Sequence, residues 1–154
     1  LDGNSLLDAF RMMRESVPRL QESGITEEVL VGVLAAAPTT TGRTFGEQLH
    51  PDAIAAMASA LLTLDASVLD PVLSGTSVSL MDPDVAIPVP VLVVAADPSS
   101  PDCVARPVVT EHLQRVTPHA EVRVLPGSGH LIHDDLVQRE PFADLVTAFL
   151  DGLD

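Results

Sequence analysis

Residues Val91-Leu-Val-Val-Ala-Ala96 form an unbroken apolar run, closed behind by Asp97-Pro98 and preceded by Met81-Asp-Pro-Asp-Val-Ala-Ile-Pro-Val-Pro90. The prolines at 83, 88 and 90 forbid a helix on the way in, because each lacks the amide hydrogen a helix needs and fixes φ. A continuous β-branched run, as opposed to an alternating one, reads as a central parallel strand buried on both faces. The second strand pattern is different. Glu121-Val-Arg-Val alternates charged with apolar residues, as a half-buried strand does, and runs into Pro126-Gly-Ser-Gly-His130. Gly127 and Gly129 permit the backbone angles of a tight turn there.

Helical spacing fills the intervals. A helix over about 108–116 separates the two strands, and Phe142, Leu145, Val146 and Phe149 predict a final helix over about 141–150. The C-terminal part therefore reads as strand, helix, strand, helix. Before residue 81 the pattern is helical throughout. Leu6, Leu7, Phe10, Met13, Val17 and Leu20 predict a helix over 5–20, with Asn4 or Ser5 as its cap and Pro18 as a point where it kinks or stops. Thr26-Glu-Glu28 starts a second helix that runs to about Ala37. Residues 38–43 read as a polar connector, a third helix spans about 51–64, and Asp65 opens a short fourth that ends near Gly75.

A chain of 154 residues is long enough to bury a core, yet two strands do not make a stable sheet on their own. The expectation is that further strands come from a segment outside this chain, either a second polypeptide of the same gene product or a partner. The formal net charge is −14, the pI is near 4.4, and the eight basic residues are all Arg. That balance argues against nucleic acid or an anionic membrane surface as a partner. No apolar stretch approaches the roughly 20 residues of a membrane span, and no signal-peptide pattern opens the sequence; a cytoplasmic location is the simplest expectation. Cys103 is the only cysteine, so no intrachain disulfide exists, and with no base beside it in sequence it reads as a bystander thiol.

Pro126-Gly-Ser-Gly-His-Leu-Ile-His-Asp-Asp135, followed by a helix, resembles the histidine loop of the α/β-hydrolase superfamily. Ile87 to Asp97 resembles the strand of that family that carries the acid, and the helical residues 1–80 are similar to its variable cap. The resemblance implies an α/β fold in which 1–80 form a helical cap or lid and 81–154 the C-terminal part of a mostly parallel core. It also implies a catalytic triad in which His130 is the general base, fixed in tautomer and charge by a carboxylate. Asp97 ends the first strand, but the resemblance places the acid two residues further on, where this chain has Ser99. Asp102 comes into register if 98–101 carry a short insertion. Both aspartates stay open as the acid, as does a residue outside the chain.

No nucleophile elbow of the Gly-x-Ser-x-Gly kind is present: Gly75-Thr-Ser-Val-Ser79 and Gly3-Asn-Ser-Leu-Leu7 lack the second glycine, and Gly127-Ser-Gly129 leads into the histidine. The implied activity is hydrolysis of a small apolar ester, lactone or epoxide, with the nucleophile, Ser or Asp, supplied by the N-terminal half of the same hydrolase as a second chain. The alternative is a non-catalytic subunit or binding module of the same fold. His133 could contact substrate or cap the following helix. The His130-x-x-His133 pair invites a metal, but only Asp134 and Asp135 stand near in sequence as further ligands, so no metal is expected, and this site logic needs no cofactor.

Overall fold

The computed structural model describes residues 3–77 and 82–153; the side chains of residues 3–6 are outside the description. The chain divides into two compact units, Leu1–Met81 and Asp82–Asp154. Among the described residues it is a mixed helix and strand protein with a two-stranded parallel sheet. Residues 78–81, where the sequence reading ends the helical part, lie outside the described residues.

The first unit is helical. Helix α1 spans Gly3–Glu22 and continues through Pro18, where the sequence suggested a kink or a stop. Two anchors offset the lost backbone bond. Val17 is buried, and the Gln21 amide donates to the carbonyls of Leu61 and Leu64, at 3.0 and 2.9 Å, fastening the last turn. Asn4 and Ser5 stand inside this helix instead of capping it.

Helix α2, Glu27–Ala36, starts as expected at Thr26, whose hydroxyl accepts from the Val29 amide. A short helix α3, Phe45–Gln48, follows the polar connector and was not anticipated. Its start is held by Glu47, whose carboxylate accepts from the Thr44 amide at 2.7 Å. That bond is half of a Thr-x-x-Glu capping box, a signal present in the sequence.

Helix α4, Pro51–Thr63, is capped by His50, and a 3-10 turn, Ala66–Leu69, by Asp65. Helix α5, Asp70–Leu73, is tied to α1 by the Arg14–Asp70 ion pair. Leu30, Leu49, Ile54, Ala58 and Ala66 are the buried apolar residues between these elements, together with Val17 and Ala53.

The second unit follows the predicted alternation: β1 (Leu92–Ala96), α6 (Pro107–Val116), β2 (Glu121–Leu125) and α7 (Arg139–Asp151), with a 3-10 turn at Ile132–Asp134. The strands pair in parallel, Leu92 opposite Glu121 through Ala96 opposite Leu125. Ala96, Cys103, Leu125 and Ile132 form the buried cluster, with Val94, Phe142 and Leu145 packed against it. The Cys103 thiol points at the Ala96 carbonyl from inside this cluster, so it fills space in the core.

One expectation is corrected here. Strand β1 was read as buried on both faces, but only Ala95 and Ala96 are buried and Leu92, Val93 and Val94 are half-buried. Burial fails toward the start of the strand because, among the described residues, no third strand lies beside it. Among the described residues no single helix is long and apolar enough to cross a membrane.

Candidate functional site

Both strands end at the same edge of the unit, because they run in parallel and in register. The loop after β1 carries Asp97, Ser99, Ser100 and Asp102, and the loop after β2 carries Pro126 to His133. Carboxyl ends of parallel strands are where open α/β sheets assemble their sites.

Asp97 binds the second loop from below. Its Oδ2 accepts from the Gly127 amide at 2.7 Å, and its Oδ1 accepts from the Ser99 amide and hydroxyl at 2.8 and 2.6 Å. Its own amide donates to the Ser128 carbonyl at 3.2 Å. The Ser99 hydroxyl first, then the Gly127 and Ser99 amides, hold the Asp97 carboxyl down to about 2 from its ordinary 3.8, since each donor favours the charged form.

Asp102 binds the same loop three residues on. Its Oδ2 accepts from the His130 amide at 3.1 Å, and its Oδ1 accepts from the Ser100 hydroxyl. The approach is close enough to fix the residue at 129: a Cβ built on Gly129 would stand 2.8 Å from Asp102 Oδ2. The two glycines of the turn therefore serve different needs. Gly127 takes φ +74°, which L side chains rarely adopt, whereas Gly129 is required by the neighbouring carboxylate. Buried Ser128 completes the fastening through its hydroxyl to the Leu125 carbonyl at 2.7 Å, and Gln138 reaches back to the Pro126 carbonyl at 3.1 Å.

The outcome for the predicted residues is specific. His130, Asp97 and Asp102 are brought together, but through backbone: each carboxylate grips the turn that presents His130, and no hydrogen bond reaches the exposed His130 ring among the described residues. His133 is exposed and is occupied elsewhere, with its Nε2 3.2 Å from Asp134 and its ring tilted against Phe142 at 6.1 Å. Asp135 caps the approach to α7, accepting from the amides of Val137 and Gln138 at 2.7 and 3.0 Å. Among the described residues no cluster of three or more His, Cys, Asp or Glu is arranged to hold a metal.

Ser99, Ser100 and Ser128 were not singled out by the sequence reading as holding the site. An available signal was Asp97-Pro-Ser99, since an aspartate commonly accepts from the amide two residues on.

His112 and His119 are also engaged with backbone carbonyls. The His112 Nε2 lies 3.0 Å from the Pro83 carbonyl and that of His119 2.9 Å from the Val89 carbonyl, which fastens the proline-rich entrance to β1. Thr117, fully buried, accepts from the Ile87 amide at 3.1 Å.

No protein-family model matches the chain, and neither the curated proteins nor the solved structures contain a significant match to it.

Proposed function

We propose that this chain supplies the histidine and carboxylate arms of an α/β-hydrolase-type active site, acting in the cytoplasm on a small apolar ester, lactone or epoxide. The observation that supports this reading is the double clamp: two carboxylates from the end of β1 fix the backbone of the Gly-rich turn that holds His130 open to solvent. A general base must be presented in one orientation and still be reachable by substrate. In this proposal a Ser or Asp nucleophile comes from a segment outside these 154 residues, the N-terminal half of the same hydrolase. It attacks the substrate carbon, breaking the C–O bond of the ester, lactone or epoxide as that oxygen leaves with a proton, to form a covalent intermediate that water then hydrolyses; His130 takes the proton of a Ser nucleophile, or of that water. Asp102 is the carboxylate assigned to His130, and Asp97 holds the turn.

A non-catalytic subunit or binding module is the second reading, and one observation favours it. Among the described residues neither carboxylate bonds to the His130 ring; their hydrogen bonds go to amides and serine hydroxyls.

The test is turnover of short p-nitrophenyl esters, a γ-lactone and styrene oxide by the protein isolated under native conditions, with and without His130→Ala. Loss of roughly 10³-fold in kcat/KM for one of these substrates supports the enzyme reading, given the usual worth of a general base. Equal rates for both forms, or no turnover of any of the three by the unsubstituted protein, would sink it.

A further inference from the structure

The two carboxylates that bind the Gly-rich turn are not held alike. Asp97 has a backbone amide on each oxygen, Gly127 on Oδ2 and Ser99 on Oδ1, with the Ser99 hydroxyl added to Oδ1. Backbone donors cannot turn away while the loop keeps its shape. Asp102 has an amide on one oxygen only. Its Oδ2 accepts from the His130 amide at 3.1 Å, whereas the donor to its Oδ1 among the described residues is the hydroxyl of half-buried Ser100. A hydroxyl is a rotor that can aim its proton elsewhere. Within the clamp, Asp102 Oδ1 is therefore the carboxylate oxygen held by a side chain alone.

The bond at Oδ2 sets what that oxygen can reach. The amide and Nδ1 of His130 belong to one residue, joined through Cα, Cβ and Cγ, so a carboxylate bonded to the first comes to the second by side-chain rotation between staggered wells. The ring is exposed, and no hydrogen bond among the described residues fixes its orientation. A charged donor bonds a carboxylate roughly twice as strongly as a neutral one, so an imidazole taking up a proton displaces a serine hydroxyl. Ser100 also lies in the stretch 98–101 that the α/β-hydrolase resemblance treats as an insertion, so the family pattern holds no counterpart to it.

We infer that Ser100 is a positioning residue whose hydroxyl competes with the His130 imidazole for Asp102, keeping the carboxylate on the turn until the ring takes a proton and draws Oδ1 to Nδ1. Asp97 stays in place and keeps the turn closed, so the exchange breaks one hydroxyl bond and leaves the backbone as it is. The inference rests on the proposed role of His130 as general base. It accounts for a carboxylate that is assigned to the ring and yet is bonded to a serine.

Nuclear magnetic resonance of the protein with isotope-labelled histidine nitrogens tests it, at a pH of about 8, above the ordinary histidine value. The His130 signals are identified by their loss in His130→Ala. Which ring nitrogen carries the proton is set by the hydrogen bond the ring makes. For Ser100→Ala the expected result is about a tenfold rise in the ratio of the Nδ1–H to the Nε2–H tautomer, matching one hydrogen bond to a charged group, as the freed Oδ1 turns to the ring. Ser100→Cys keeps the size of the side chain, gives up the strong donor and behaves like Ser100→Ala. Ser100→Thr keeps the hydroxyl and stays with the parent, as does Ser99→Ala, which strips a donor from Asp97 alone. A ratio unchanged in both Ser100→Ala and Ser100→Cys would overturn the inference. So would an equal change in Ser100→Thr or Ser99→Ala, which would mark a loosened loop. The tautomer is read without substrate, so the two failures differ: an unmoved tautomer removes the role of Ser100, whereas equal turnover with and without His130→Ala removes the catalytic reading.

Discussion

The units Leu1–Met81 and Asp82–Asp154 solve the same problem, satisfying backbone polar groups while burying apolar side chains, in opposite ways. In the first, each helix closes its own hydrogen bonds and short-range caps at Thr26, Glu47, His50 and Asp65 finish the ends. In the second, two strands pair along one edge each and, among the described residues, leave their outer edges unpaired, while the loops at their ends are bound by side chains. A helix is complete locally; a sheet is complete only when every edge is covered or protected. The best-fastened part of the second unit is thus not its strands but the turn that presents His130.

That contrast can be broken by substitution. Val17→Ala should destabilise the first unit by about 2 kcal/mol in urea titration, because a nearly inaccessible side chain is lost from a closed helical core. Val94→Ala should cost the lone chain less than half as much, since Val94 is only half-buried there. Equal costs would mean that the second unit is as fully packed as the first. An effect of about 1–2 kcal/mol, below or equal to that of Val17→Ala, is expected for Gly129→Ala, as a Cβ at 2.8 Å must push the Asp102 carboxylate off the His130 amide. If Gly129→Ala is as stable as the parent in the same titration, the Asp102 clamp is not rigid. Thr44→Ala should cost the helical unit about 1 kcal/mol or less by loosening the start of α3, read by urea titration against the parent.

A further effect concerns pH. The Asp97 carboxyl is held at about 2 in the folded chain against an ordinary 3.8, so the unfolded chain binds its proton more readily. Its contribution is complete above the ordinary value and disappears as pH falls from about 4 toward 2. The stability difference between the parent and Asp97→Asn should therefore shrink across that window. A constant difference from pH 6 to pH 2, in acid titrations followed by circular dichroism, would contradict the bonds drawn to Ser99 and Gly127.

The sequence disclosed what is local. Helix starts at Thr26 and Pro51, the proline barrier before β1 and the Gly-rich turn were all legible from residue types a few positions apart. Pro18 was misleading because the bonds from Gln21 to Leu61 and Leu64 cross some 40 residues, and nothing near Pro18 announces them. The site divides the same way. His130, Asp97 and Asp102 could be picked out by their places at strand ends, but whether a carboxylate meets an imidazole or an amide depends on how two loops 28–30 residues apart settle against each other. Gly129 shows the limit well: its glycine reads as a turn requirement, yet the atom that excludes a side chain belongs to Asp102.

The central claim is that His130 serves a nucleophile carried by another segment. The most direct measurement is denaturing mass spectrometry of the natively isolated protein, quenched during turnover of a p-nitrophenyl ester or styrene oxide, with peptides mapped for a covalent adduct. The account predicts a substrate-derived adduct on a Ser or Asp outside residues 1–154, longer-lived when His130 is replaced by Ala. An adduct on this chain itself, or turnover with no adduct and no dependence on His130, would contradict it.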